Sequence, residues 1–279
     1  MKIRFLGTAA FEGIPALFCT CQTCKKARER GGKDIRTRSQ ALINDNLLVD
    51  FNADTFMHTL QYGIELAKVN HCLITHGHSD HLYPADIAQR IPGYSHIDNR
   101  ECFHVYGSEI VTRKLKNSFP EEDPQNDNAA CFHMIKPYTP FKILDYEITA
   151  LEAKHGETSG PYIYMIKQGH KTMLYAHDTG YFFARVFAYC KENGVRFDFV
   201  SLDCTLGFCK FDRNSHHMTV EHCADVKRVL CKNGNADENT VFYLNHFSHN
   251  GDGVLYDEMC EKVKEYGFKV SYDGLEAEF

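Results

Sequence analysis

Short apolar runs, each closed by a polar turn, recur along most of the chain, the pattern of strands buried in a sheet. Lys2 to Leu6 reads as a buried strand ending at Gly7, and Ala41 to Ile43 with Leu47 to Val49 as a hairpin turning at Asn44-Asp45-Asn46. Val69 to Thr75 is a strand that runs into His76, and Phe103 to Tyr106 is another. Further strands are predicted around 141–150, 162–166, 172–175, 197–202, 241–244 and 269–272. Helical spacing replaces this rhythm at Asp54 to Tyr62, with a stop at Gly63, and at 184–193, 220–232 and 257–266. Pro84 to Arg90 reads as a short helix. Phe18 to Arg38 reads as a Cys-rich, then basic loop, and Glu121 to Asn128 as an exposed acidic one. No repeat, low-complexity segment or linker divides the chain, so residues 1–279 are expected to form one domain. The order is mixed α/β, strand-rich in the middle, with histidine-bearing loops at strand ends.

Composition narrows the class. Of 279 residues, 43% are apolar and 24% charged, near the globular average, which excludes a disordered or collagen-like chain. The formal net charge of −6 offers no basic surplus for nucleic acid or an acidic membrane. Glu12 and Gly13 interrupt the apolar N-terminal stretch that a secretory signal would need. No stretch approaches the length of a membrane span. The 12 cysteines are too sparse for a disulfide scaffold. Cys72, Cys102, Cys131, Cys190 and Cys260 stand singly, as reduced, buried thiols do, and favour a reducing cytoplasm. Sixteen histidines raise metal chemistry as a possibility to be tested locally.

The sharpest local signal is His76-Gly77-His78-Ser79-Asp80-His81, directly after an apolar strand. Four ligand-type side chains in six residues cannot converge from a strand or a helix, but a tight loop at Gly77 can gather them. Imidazole with carboxylate suits Zn²⁺, Mn²⁺ or Fe²⁺. This His-x-His-x-Asp-His loop resembles that of the metallo-β-lactamase fold superfamily, whose further ligands follow in the order His, Asp, His at strand ends. His155, Asp178 and His246 stand in that order, and Asp50 matches the aspartate that supports the metal loop. The resemblance, which extends from Lys2 to Tyr272-Asp273-Gly274, implies an αββα sandwich of two mixed sheets flanked by helices. It also implies two divalent ions, Zn or Mn. His76, His78 and His155 would hold one, Asp80, His81 and His246 the other, with Asp178 bridging. Ser79 replaces the glutamate of the diiron oxygen-reducing branch, which favours hydrolysis.

Cys19, Cys21 and Cys24 form a C-x-C-x-x-C cluster. Its spacing alone suits a structural zinc short of one ligand, an iron–sulfur fragment, a redox pair or plain thiols. In this place the cluster resembles the PhnP-type branch, phosphodiesterases acting on cyclic phosphates. That branch completes a structural zinc with a histidine three residues after the last catalytic one, which here is His249. His217-Met218-Thr219 resembles the His-x-Thr element of the phosphodiesterase and transfer-RNA-processing branches. There the histidine serves as general acid and an acidic residue, here Asp203, orients it; His216 is the competing candidate. His71, His96, His104, His133 and His170 lack partners at ligand spacing and read as structural. His177, beside Asp178, reads as a support to the ligands.

The function this implies is dinuclear metal-dependent hydrolysis of a small or cyclic phosphodiester, by metal-hydroxide attack with His217 protonating the leaving oxygen. An RNA 3′-processing-type nuclease would need a basic arm that this acidic chain lacks. A lactone or thioester hydrolase of the same fold would not need the Asp203/His217 pair. A metal-binding protein without catalysis would not need the full set. Neither a nucleic-acid nor a membrane partner is expected, and a homodimer is compatible with the resemblance.

Overall fold

The computed structural model describes residues 1–119, 123–125 and 128–279. Two seven-stranded sheets face each other. The first contains β1 (Lys2–Gly7), β2 (Gln40–Ile43), β3 (Leu47–Val49), β4 (His71–Leu73), β5 (Phe103–Gly107) and β6 (Ala130–Met134), with β14 (Glu276–Glu278) beside β1. It runs antiparallel from β14 to β3 and parallel from β3 to β6. The second contains β7 (Phe141–Ile143), β8 (Tyr146–Glu152), β9 (Tyr162–Gln168), β10 (Lys171–Ala176), β11 (Phe199–Asp203), β12 (Val241–Asn245) and β13 (Lys269–Val270). It is antiparallel to β10 and parallel beyond.

One apolar layer lies between the sheets. Phe5, Ile43, Val49 and Leu73 meet Ile148, Tyr164, Tyr175 and Phe199 there. The outer faces are covered by helices: α1 (Gln22–Arg30), α2 (Thr55–Tyr62), α3 (Glu109–Asn117), α4 (Ala184–Glu192), α5 (Val220–Lys232) and α6 (Tyr256–Val263). Val186, Val226, Leu230 and Met259 close the second sheet, and Val111 and Leu115 of α3 close the first. This is the expected sandwich of two mixed sheets between helices.

Local chemistry sets the boundaries. The predicted hairpin forms because Asn44 and Asp45 accept left-handed backbone (φ 44° and 60°), the conformation a tight turn between twisted strands demands. Gly63 ends α2 in the same conformation, φ 62°. Thr219 caps α5, accepting from the His222 N–H at 3.1 Å.

Several expectations are corrected. Phe18 to Arg38 is no continuous loop, because α1 occupies its centre with Cys21 as N-cap. The Val69–Thr75 strand is shorter, with only His71–Leu73 in β4, and the Thr75 amide donates to the Asp50 carboxylate instead of to a neighbouring strand. The short helix expected at Pro84–Arg90 does form, with 3₁₀ geometry. The 141–150 run is two strands broken at Leu144-Asp145, with Leu144 at φ 52°. Half of the acidic loop at 121–128 lies outside the described residues. Cys102 and Cys131 are joined in a disulfide, not single reduced thiols; β5 and β6 pair and bring their sulfurs together.

Candidate metal centre

The sheets deliver their polar strand ends to one rim of the sandwich. His76 to His81 follow β4, His155 follows β8, Asp178 follows β10, Asp203 ends β11 and His246 follows β12. The His76–His81 loop is tight. The His81 and Leu82 amides donate to the His78 carbonyl, and the Gly77 amide to the Ser159 carbonyl at 2.9 Å.

Two ligand-type groups form, and they share one carboxylate. His76, His78, His155 and Asp178 present donor atoms within 4.8 Å of one another, and so do Asp80, His81, His246 and Asp178. Asp178 Oδ2 lies 3.1 Å from His76 Nε2 and 3.2 Å from His81 Nε2. Its Oδ1 lies 3.2 Å from His155 Nδ1.

The surrounding shell fixes how each ring faces. Asp50, fully buried, receives the Thr75 amide at 2.8 Å and lies 2.7 Å from His81 Nδ1. The opposite nitrogen, His81 Nε2, is thereby turned inward. Thr205 Oγ1 lies 2.8 Å from His246 Nδ1, with the same effect on that ring. His177 does not join this shell. It is buried between Ser39 and Ser201, 3.2 and 2.6 Å away, and packs on Tyr175.

The donor set fits divalent cations. Among the described residues, His81 Nε2, His246 Nε2 and Asp178 Oδ1 are buried side-chain atoms without a hydrogen-bond partner. All three point into the shared centre, where unsatisfied buried groups are costly unless something else completes them. Burial pushes His76 down to about 3 and His155 down to about 4, keeping both imidazoles neutral, as ligands must be. Burial opposes ionisation of Asp80 and Asp178, yet the neighbouring histidines hold both below the usual carboxylate range. A buried, ionised carboxylate shared between imidazoles is what two adjacent cations require of a bridge.

Beside the centre, His217 Nδ1 lies 3.2 Å from Asp203 Oδ2 and 3.3 Å from Asp178 Oδ1. Burial works against its charge, but the Asp203 carboxylate raises it to about 9. His216 makes no such contact; its carbonyl lies 3.4 Å from His155 Nδ1. Asp178, Asp203, His217 and His246 also lie within ligand reach of one another, so metal content is a necessary readout at His217. A cavity of about 620 Å³ opens over these residues, lined also by Phe11, Glu12 and Asn250 and, among the described residues, by no lysine or arginine.

Cys19, Cys21, Cys24 and His249 converge as a separate group. His249 Nδ1 lies 3.5 Å from Cys19 Sγ and 3.6 Å from Cys21 Sγ. The Cys24 amide, a donor at the start of α1, brings the Cys21 thiol down to about 6.

Sequence reasoning missed one cluster. His104 and His133, read as partnerless, lie 2.8 Å apart (Nδ1 to Nε2) beside Cys102 and Cys131. The sequence separation of β5 and β6 hid it, although Cys-Phe-His occurs at both 102–104 and 131–133.

Fold and site together define a metal-dependent hydrolase of the metallo-β-lactamase type. The chain belongs to the β-lactamase superfamily domain family, whose model matches residues 46–233. Among solved structures it is similar to a diphosphatase of the PhnP family, at 21% identity and TM-score 0.75 over 100% of this chain and 97% of that one. Zn²⁺-bound PqqB from Methylobacterium extorquens follows the same fold at 16% identity and TM-score 0.76, covering 100% of both chains. The short form of human tRNase Z does so at 15% identity and TM-score 0.62, over 100% and 99%. No curated protein matches the chain by sequence.

Proposed function

We propose that the protein is a dinuclear metal-dependent phosphodiesterase acting on a small or cyclic phosphodiester. His76, His78 and His155 would hold one divalent ion, Zn or Mn, and Asp80, His81 and His246 the other, with Asp178 between them. Such a pair lowers the pKa of water and neutralises charge developing on phosphate oxygens. Asp80 keeps its carboxylate at the cavity wall, and Asp203 holds His217 with Nδ1 occupied and a proton in hand. His217 then delivers that proton to the departing alkoxide, the step that separates phosphodiester cleavage from the opening of an activated lactone.

The observation that carries this reading is the 3.2 Å Asp203–His217 contact on the cavity wall next to the ligand cluster. The cavity favours a small substrate over a polynucleotide, since its lining offers no cationic track for successive phosphates. Cys19, Cys21, Cys24 and His249 would hold a structural zinc that ties the start of α1 to the loop after β12. His217→Ala should lower kcat by about 10²–10⁴-fold with metal content unchanged. Loss of a metal equivalent in that variant would make His217 a ligand and remove the general acid.

A further inference from the structure

We propose that Cys102, His104, Cys131 and His133 form a zinc site in the thiol-reduced protein, and that the Cys102–Cys131 disulfide is its oxidised, metal-free counterpart. Strands β5 and β6 are neighbours at the margin of the first sheet. These strands are parallel, with His104 opposite Cys131 and Tyr106 opposite His133. The two Cys-Phe-His triplets are therefore offset by two residues, and side chains of equal parity share a face. Cys102 meets Cys131 on one diagonal and His104 meets His133 on the next. The intervening Phe103 and Phe132 point the other way, into the layer that α3 covers.

A disulfide engages the two sulfurs alone, beside two imidazoles that lie 2.8 Å from each other. Zinc uses all four. Donor atoms of Cys102, His104 and Cys131 already lie within 4.8 Å of one another, and His133 Nε2 is 2.8 Å from His104 Nδ1. A tetrahedral zinc with Zn–S of about 2.3 Å and Zn–N of about 2.0–2.1 Å sets its ligand atoms roughly 3–4 Å apart. The rings are supported from behind: His71 stacks on His104 at 5.2 Å and Tyr106 on His133 at 4.6 Å.

The site is independent of the hydrolase centre. It lies toward the start of β5, whereas the centre lies beyond the end of β4, which runs parallel to β5. Because β6 is an edge strand, a four-ligand clip there fastens the margin of the first sheet. The chemistry balances. A dithiol reductant supplies two electrons and two protons to the Cys102–Cys131 bond and closes to its own disulfide. Zinc then binds both sulfurs and releases the two thiol protons to solvent.

The test compares full-length protein treated with dithiothreitol, loaded with Zn²⁺ and freed of excess metal, with Cys131→Ser and His133→Ala handled identically. The other metal groups are unaltered in all three, so differences in bound zinc report this site. Reduced wild type should hold about one zinc per chain more than either variant. Zinc should also protect Cys102 and Cys131 from iodoacetamide, mapped by peptide mass spectrometry in the wild-type chain. That second readout needs no variant and so survives a variant that fails to fold. Equal zinc in all three proteins with no protection overturns the proposal, as does a Cys102–Cys131 bond that dithiothreitol leaves intact.

Discussion

Three residues at the candidate centre hold left-handed backbone without being glycine: Asp50 at φ 67°, Asp178 at 54° and His246 at 61°. Each such residue costs on the order of 1 kcal/mol, and such residues persist where the surroundings over-determine them. Asp50 and His246 follow directly on β3 and β12, and Asp178 stands two residues beyond β10, so all three lie at the rim where the strands end. His58 represents a different residue-scale device. It is fully buried, with Nδ1 2.6 Å from Gln40 Oε1 and Nε2 2.7 Å from Thr37 Oγ1, and burial pushes it down to about 4. In the unfolded chain it takes up a proton near 6.5. A depressed native value gives stability that is complete above that pH and lost as pH falls toward 4, up to about 3 kcal/mol. Urea midpoints should therefore fall less steeply over that range in His58→Gln than in wild type; parallel slopes would show that His58 stays protonated in the fold.

At the scale of elements, the Cys cluster is joined to helix structure. Cys21 Sγ accepts the Cys24 amide at 3.4 Å and so caps α1. Serine preserves a capping acceptor but supplies no thiolate. Cys21→Ser should thus lose about one zinc equivalent while α1 stays capped; metal analysis showing unchanged stoichiometry would dismiss a structural zinc there. The same helix shows where sequence reading fails. Gln22–Arg30 buries only Thr23, Cys24 and Ala27, too narrow a stripe to stand out in so basic a stretch. β6 carries Cys131, His133 and a half-exposed Met134, and β14 is Glu-Ala-Glu, so neither alternates like a half-buried strand. The helix α3 does carry a local signal, a cap at Ser108 with buried positions at Val111 and Leu115. By contrast, β1, the β2–β3 hairpin, β9 to β12 and α5 were legible, because their apolar runs and caps sit together locally. The ligand-type residues were legible for another reason. Each sits at a strand end in a fixed chain order, whereas the His104/His133 cluster depends on a register between strands that no local pattern records.

The whole molecule is two sheets with one shared polar rim. The first sheet supplies His76 to His81, with Asp50 behind them. The second supplies His155, Asp178, Asp203 and His246, and the loop before α5 supplies His217. Cations bound at Asp178 would therefore bridge the two sheets, and the cavity above them is floored by both. The protein's overall charge of −6 and a cavity lining without lysine or arginine among the described residues support the proposed compact phosphodiester over a polynucleotide. A single comparison bears on this claim most directly: initial rates of the metal-loaded protein, with Mn²⁺ or Zn²⁺, on one panel of substrates. The panel contains bis(p-nitrophenyl) phosphate, a five-membered cyclic phosphate, a diphosphate ester, a precursor RNA and a lactone. Turnover of both small phosphodiesters is expected, fastest on the cyclic one; hydrolysis of the lactone with no phosphodiester cleaved would contradict the phosphodiesterase reading.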